Sequence, residues 1–594
     1  MTQQHNFLHW YETSLPTNER KTRGHFSTPS LLVEQILDAC GYTPDRNLSR
    51  IRILDPACGS GNFLTGAARR LIQSGQRTEQ NERAIARQLQ RNLWGFDPDP
   101  IACFLADIQL RSHYSESQLP ARLLQNFHIH QADGLAFPWT AEAGIDLFLA
   151  NPPYLAAKNT DLSCYRSTHQ RGQTDSYLLF LNLALQIVKP GGWIALVLPD
   201  PVLARANAAH ERQRLLKETT VHHLWHLSDV FNAYVGAVVL IAQKSLPPIQ
   251  HVITWKRERW HRRPQTSANA TNADTIQQKS LPQHVSQALL QQQPGAELRY
   301  LLSTVDGTLI ARLHQFHTGG GSSKSDSQSK ELVQRRPIAS LGDVVAIRRG
   351  EELGKDSQLL QARPPQGEEQ DWYPLLRGGI DIRPHCYPSA SRWISTQHIV
   401  KPLQRYTQPK LLLVKSVGTL QATIDLKGHV VLQTLYILQL HRQHTEPSKA
   451  EQPGHFSIED ELYFLLALLN SRLLQDYMYV LYTAYKLVQP QIEQHVLAAL
   501  PIPLSVKQSE KERIIDRTRD MMDACSSEAG VVELQTQSHA LYEEQERSIC
   551  ALYEQALYEA STLSATQQSL SSPSAIDKGV LVWPKRKRAA PSAY

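Results

Sequence analysis

Ile145-Asp146-Leu147-Phe148-Leu149-Ala150-Asn151-Pro152-Pro153-Tyr154 is the stretch on which the fold turns. Its first six residues form a short apolar run that reads as a buried parallel strand. The next four place an amide, two prolines and an aromatic ring at that strand's C-terminal edge, where open α/β sheets bind ligands. Proline fixes φ and removes an N–H donor, so the lip offers carbonyl acceptors in a set direction. Asn151 adds a side-chain acceptor, and Tyr154 a flat face for a planar ring. Such a lip suits holding an exocyclic amine.

Outward from this strand, apolar runs alternate with helical periodicity from about residue 24 to 245, the pattern of a doubly wound α/β sheet. The expected strands are 52–54, 92–96, 127–131, 145–150, 193–198 and 238–242. An amphipathic helix carrying Leu31, Leu32, Ile36 and Leu37 precedes them, with Thr28 as N-cap and Pro29 as first helical residue. Residues 246–335 are read as a linker or insertion containing low-complexity sequence, because they turn rich in Gln, His and Ala and then in Gly and Ser. A second ordered region, 336–560, opens with β-like segments (344–348, 410–414, 429–440) and passes into helices. Residues 462–482 read as a buried helix pair. Residues 561–594 read as a disordered tail ending in Pro584-Lys585-Arg586-Lys587-Arg588.

Composition narrows the classes without choosing one. The 594 residues suffice for two to four domains, and the net charge of +6 suits a polyanionic partner without requiring one. Seven cysteines without a CxxC pair argue against a disulfide framework or a zinc site and for a reducing, cytoplasmic setting. No apolar run reaches the roughly 20 residues of a membrane span. No metal ligand set and no membrane partner are expected.

Further motifs supply the chemistry. Asp55-Pro56-Ala57-Cys58-Gly59-Ser60-Gly61 follows the first strand and opens a helix; Gly59 and Gly61 permit a tight turn and close approach of a ligand. A GxG alone fits a dinucleotide loop or a plain turn equally well. The acidic lead residue Asp55, however, would repel a pyrophosphate and suits the ammonium and sulfonium of S-adenosylmethionine. Asp97 ends the second strand, placed for ribose hydroxyls. Asp133-Gly134 ends the third, where Asp133 either accepts from an adenine amino group or only punctuates a turn. The helix start at Thr28 has N–H groups that could meet a carboxylate.

Gly24-His25-Phe26-Ser27-Thr28-Pro29, the Asp55–Gly61 loop with Ala57, then Asp97, Asp133 and Asn151-Pro152-Pro153-Tyr154 stand in the order found in amino-methylating DNA methyltransferases. The chain resembles the gamma class, the TaqI-type and Eco57I-type adenine-N6 enzymes. Residues 338–344, 372–378, 409–412, 468–473 and 500–503 resemble the specificity domain of that family. The resemblance implies a Rossmann-like methyltransferase sheet with a second, α+β DNA-recognition domain, covering residues 20–245 and 336–560. It implies S-adenosylmethionine as methyl donor and an adenine flipped from duplex DNA as acceptor. Asn151 and Pro152 would accept the N6 protons, with Pro153 stiffening the lip. Tyr154 would stack on the base, completed by Phe231 or else Tyr234. Thr28, Asp55, Ala57, Gly59, Gly61, Asp97 and Asp133 would hold the cofactor. Arg348, Arg349, Arg377, Lys410, Lys415 and Lys486 are candidate DNA contacts. Cys58 does not occupy the position of the nucleophile of cytosine-C5 enzymes and reads as loop filling.

Two other readings compete. NPPY also occurs in enzymes that methylate RNA bases or protein glutamine, but those are compact. A recognition subunit without turnover would not need Asn151 and Tyr154. With cofactor motifs beginning by residue 24, the expectation is a methyltransferase without a nuclease domain ahead of it, in a restriction–modification or related defence system with a separately encoded endonuclease as partner.

Overall fold

A computed structural model describes residues 27–116, 123, 127–140, 144–155, 162–165, 175–231, 236–261, 275–319, 337–367, 369–441, 456–487, 491–526 and 533–571. Tyr234, the 24–26 end of the first motif and the basic run 585–588 lie outside these.

The N-terminal half is built on one mixed sheet. Its strands are β1 (Ile53–Asp55), β2 (Leu93–Asp97), β3 (His128–Gln131), β4 (Ile145–Ala150), β5 (Val188–Pro199), β6 (Thr220–Ser228), β7 (Ala237–Gln243), β8 (Val252–His261), β9 (Thr275–Lys279) and β10 (Gln283–Ser286). The order across the sheet is β10-β8-β6-β7-β5-β4-β1-β2-β3, with β9 pairing β8. β3, β2, β1, β4 and β5 run parallel, whereas β7 is antiparallel to both β5 and β6. Side chains alternate across it: Leu54, Phe148, Ile194 and Leu240 pack on one face, and Leu147, Leu149, Ala195 and Val239 on the other. Burying a side chain the size of Phe148 contributes about 1.5–3 kcal/mol, so the end of β4 is firmly anchored. The chain order reverses where β1 lies between β4 and β2, which opens a crevice at their C-terminal ends.

Helix α1 (Ser30–Ala39) buries Leu32, Val33, Ile36 and Leu37, while Leu31 is exposed. Its N-cap position is Pro29 and no side chain caps it, so the expected capping by Thr28 does not occur; the Thr28 hydroxyl is used elsewhere. Helix α2 (Asn62–Arg77) begins after Gly61, which adopts φ 90°.

The described residues within 246–335 form more than a linker. β8 pairs parallel with β6 and β10 pairs with β8, so the segment extends the methyltransferase sheet. Tyr300 then stacks edge-on with Tyr485, 5.2 Å between centroids, joining this segment to the second region.

The second region contains an antiparallel sheet whose order is Val345–Arg349, Leu435–Leu440, Lys410–Val414, Ala422–Asp425. Beside it lies a three-stranded sheet of Arg392–Ser395, Trp372–Leu376 and Val430–Val431. Helices Ile458–Asn470 and Arg472–Leu481 form the expected buried pair. The final described helix runs Glu533–Ser571, so residues 561–571 are helical, contrary to the expected disordered tail. Cys386 and Cys525 are joined as a disulfide; cysteine spacing gave no sign of it, because the partners are 139 residues apart. Among the described residues no helix is long and apolar enough to cross a membrane.

Candidate functional site

The crevice gathers the ends of β1, β2, β3 and β4 with the segment before α1. Thr28 is buried, and its Oγ1 accepts a hydrogen bond from Asn151 Nδ2 at 3.1 Å, across 123 residues of sequence. Asn62, the first residue of α2, donates to Ser27 Oγ and to the Thr28 carbonyl, both at 2.8 Å. The segment before α1, the glycine loop and the Asn-Pro-Pro-Tyr lip are therefore one hydrogen-bonded unit. Asn62 and Ser176 were not singled out in the sequence. Asn62 does follow the glycine loop directly, whereas Ser176 lies far from any motif.

Ser176 opens the helix Ser176–Ile187 and braces the lip. Its hydroxyl donates to the Pro153 carbonyl and accepts from Leu155 N at 2.9 Å. Pro152 is buried and Asn151, Pro153 and Tyr154 are half-buried. Tyr154 Oη lies 3.4 Å from Asn151 Oδ1 and 3.3 Å from the Val197 carbonyl. Burial, and after it the carboxylate of Asp200, drives the Tyr154 phenol far above its ordinary range, so it stays a neutral donor.

The acidic residues line the floor. Asp55 is 1% exposed and accepts from Ala57 N at 3.2 Å. Burial pushes its carboxyl up to about 8, partly offset by that N–H and aided by the neighbouring charge of Asp97. Asp97 accepts from Gly59 N at 3.0 Å and from Asp99 N at 2.9 Å. Asp133 forms the turn bond to Leu135 N at 2.8 Å and also accepts from Tyr165 Oη at 2.5 Å, so the punctuating role is present. Gly134 packs so close to Pro56 that a Cβ there would lie 2.1 Å from its carbonyl oxygen, which makes glycine obligatory.

These residues fit S-adenosylmethionine. A Cβ added at Gly59 would meet nothing within 4 Å, so space opens above the loop. Behind it stand two buried carboxylates, one of them held neutral for want of a counter-charge. That floor suits a cationic ligand and opposes a polyphosphate. Cys58 is buried with its thiol pushed well up, chiefly by burial, which is the state of a packing residue rather than a nucleophile.

The remaining candidates divide. Phe231 is 6% exposed within the hydrophobic cluster beneath the sheet, so it offers no open face for a base. Lys410 has no exposed surface and pairs with Asp425 at 2.6 Å between strands, and so cannot serve as a DNA contact. Arg377 is 9% exposed and committed to Asp381 at 3.2 Å and Ser391 at 2.7 Å, which likewise removes it. Arg348 and Arg349 are exposed and Lys415 half-buried. Lys486 pairs with Glu493 at 2.6 Å. Asp200, also unforeseen, is 5% exposed, follows β5 and accepts from Leu487 N at 3.2 Å, tying the second region to the sheet beside the lip. Burial lifts its carboxyl to about 7.

Comparison with known proteins agrees with this geometry. Residues 2–278 match the model of the N-6 DNA methylase family, and residues 375–502 that of the TaqI-like C-terminal specificity domain. The chain is 27% identical over 222 residues to the type II methyltransferase M.XhoI of Xanthomonas vasicola, which covers 35% of this chain and 39% of that protein. It is 24% identical over 248 residues to the type II methyltransferase M.VspI of Vibrio sp. (strain 343), covering 41% and 53%. The matched part thus spans about half or less of these relatives' own length. In fold it resembles the type IIL restriction-modification enzyme MmeI, solved with DNA, at a TM-score of 0.55 and 12% identity over 94% of this chain and 80% of that one.

Proposed function

We propose that this chain, a member of the gamma-class, TaqI/Eco57I-type N-6 DNA methylases with a TaqI-like specificity domain, methylates N6 of an adenine flipped out of duplex DNA at a specific sequence. S-adenosylmethionine, when bound, supplies an electrophilic methyl group. Asp55, Asp97 and the Gly59 loop would hold it, with the Thr28 segment alongside. The observation that carries the proposal is the Thr28–Asn151 hydrogen bond, because it locks the amine-gripping lip to the cofactor segment.

The chain's own residues account for the chemistry. Adenine N6 is a weak nucleophile, since its lone pair is delocalised into the ring. Thr28 takes the Asn151 Nδ2 donor and so turns Oδ1 toward the Tyr154 hydroxyl, at the mouth of the lip. From there Oδ1, with the Pro152 carbonyl, would accept the two N6 protons and favour a pyramidal, reactive nitrogen. Positioning of this kind needs no covalent intermediate. Tyr154, kept neutral, presents its ring to the flipped base. The names of the relatives support a place in a restriction–modification system; a separately encoded endonuclease is the partner we propose.

The test is to incubate the purified chain with methyl-labelled S-adenosylmethionine and unmodified duplex DNA, then digest to nucleosides. Label is expected in N6-methyladenine. Asn151→Ala should lower the rate by about 10²-fold or more with cofactor affinity nearly unchanged. Label in N4-methylcytosine, or in RNA or protein alone, would refute the proposal.

A further inference from the structure

Glu351 follows the strand Val345–Arg349 and is 1% exposed, yet its side chain serves the surface. Oε1 accepts from Lys401 N at 3.0 Å and Tyr406 Oη at 2.7 Å, and Oε2 from Val400 N at 3.3 Å. Its main chain is pinned on the other side, donating to the Val431 carbonyl at 2.8 Å and accepting from Gln433 N at 2.7 Å. Lys401 Nζ donates to the Gly350 carbonyl, and Arg405 Nη1 to that of Arg349 at 3.2 Å. A buried carboxylate is costly unless hydrogen bonds offset its lost hydration, as these three donors do. Here they strap one loop, residues 396–405, onto the end of a strand. What the loop displays is Val400, 88% exposed.

The surroundings are cationic. No Asp or Glu occurs between residues 382 and 424, a span that holds Arg383, Arg392, Lys401, Arg405 and Lys415 besides the buried, Asp425-paired Lys410. The loop also connects with the catalytic crevice. Arg405 touches Arg349, whose charge is felt by Lys415, and Lys415 lies within electrostatic reach of Glu493. Glu493 pairs with Lys486 and is in reach of Arg205, and Arg205 pairs at 3.1 Å with Asp175, the residue before the Ser176 that braces the lip. A band of charged side chains, the basic Lys486 and Arg205 in it paired with Glu493 and Asp175, therefore lies between the lip and the loop. Polyanionic DNA gripped at one end would follow it to the other.

We infer that residues 396–405 form a DNA-reading loop of the specificity domain, with Val400 in apolar contact with the bases, Arg349 and Lys401 on the phosphates, and Glu351 as the positioning residue. The inference rests on the proposed DNA methylation. It assigns sequence discrimination to an exposed apolar side chain held rigid from below, as thymine methyl groups and base steps are read elsewhere.

The experiment uses the full chain, a library of unmodified duplex DNA and modified-base sequencing, with KM, kcat and cofactor affinity measured in parallel. Val400 is exposed, so Val400→Ala leaves stability unaltered and any effect comes from DNA. The expected result is a relaxed preference at one or two positions of the site and a KM for DNA raised roughly tenfold, with kcat within twofold and cofactor affinity unchanged. Glu351→Gln should move KM the same way. Lys401→Ala should reduce the slope of log affinity against log salt by about one. A Val400→Ala enzyme with the wild-type site pattern and KM would overturn the loop assignment while leaving the proposed activity standing. A wild-type chain that modifies no adenine in DNA would remove both.

Discussion

Asp55 shows how burial prepares a site for a charge it does not yet hold. With its carboxyl pushed up to about 8, the folded chain keeps a proton on Asp55 from about pH 4 to 8, where the unfolded chain has released it. The folded state therefore binds more protons across that window, and Asp55 makes the protein progressively less stable as pH rises from 4 to 8, with no further change above. Asp55→Asn lacks this penalty. Thermal melts at successive pH values should show the variant gaining on wild type between pH 5 and 8, and its affinity for S-adenosylmethionine should fall because a neutral amide cannot balance a cation. A difference in Tm independent of pH would contradict this account. At the same scale, Thr28 shows what sequence reading can miss. Its place in the motif was legible, but the position suggested a helix cap. The structure sends its hydroxyl to Asn151 instead, a contact that no local pattern encodes.

Among the elements, the strand pair Lys410–Val414 and Ala422–Asp425 separates structural charge from DNA-binding charge. Burial alone would raise the Asp425 carboxyl, yet the His429 hydrogen bond and the Lys410 charge hold it down at about 2. Removing one member of a buried pair is expensive, about 3–5 kcal/mol. Lys410→Met should accordingly lower the melting temperature markedly while leaving the salt dependence of DNA binding unchanged; a lower salt slope with normal stability would return Lys410 to the interface. The pair was invisible in the sequence because a lysine in an apolar strand looks the same whether its end reaches solvent or a carboxylate. The strands of the parallel half were legible from their apolar runs. β6 was not, because His222, His223 and His226 interrupt its pattern. Nor was β8, whose Lys256-Arg257-Glu258-Arg259 run resembles solvated surface although Glu258 is 3% exposed within the sheet.

For the whole molecule, the segment after β7 changes the picture from two domains on a linker to a continuous body. β8 and β10 lengthen the sheet, Arg257 Nη1 donates to Tyr479 Oη at 2.7 Å, and Asp200 accepts from Leu487. The sheet that carries the lip and the specificity domain are thus hydrogen-bonded to one another. Site-specific transfer to adenine N6 is the central claim. The most direct measurement is single-molecule modified-base sequencing of plasmid DNA propagated with this gene in a host that lacks adenine methylation, beside the same plasmid carrying Asn151→Ala. The account predicts N6-methyladenine at one recurring sequence with the wild-type chain and none with the variant. Methylcytosine at recurring sites, or the same adenine pattern from both chains, would contradict it.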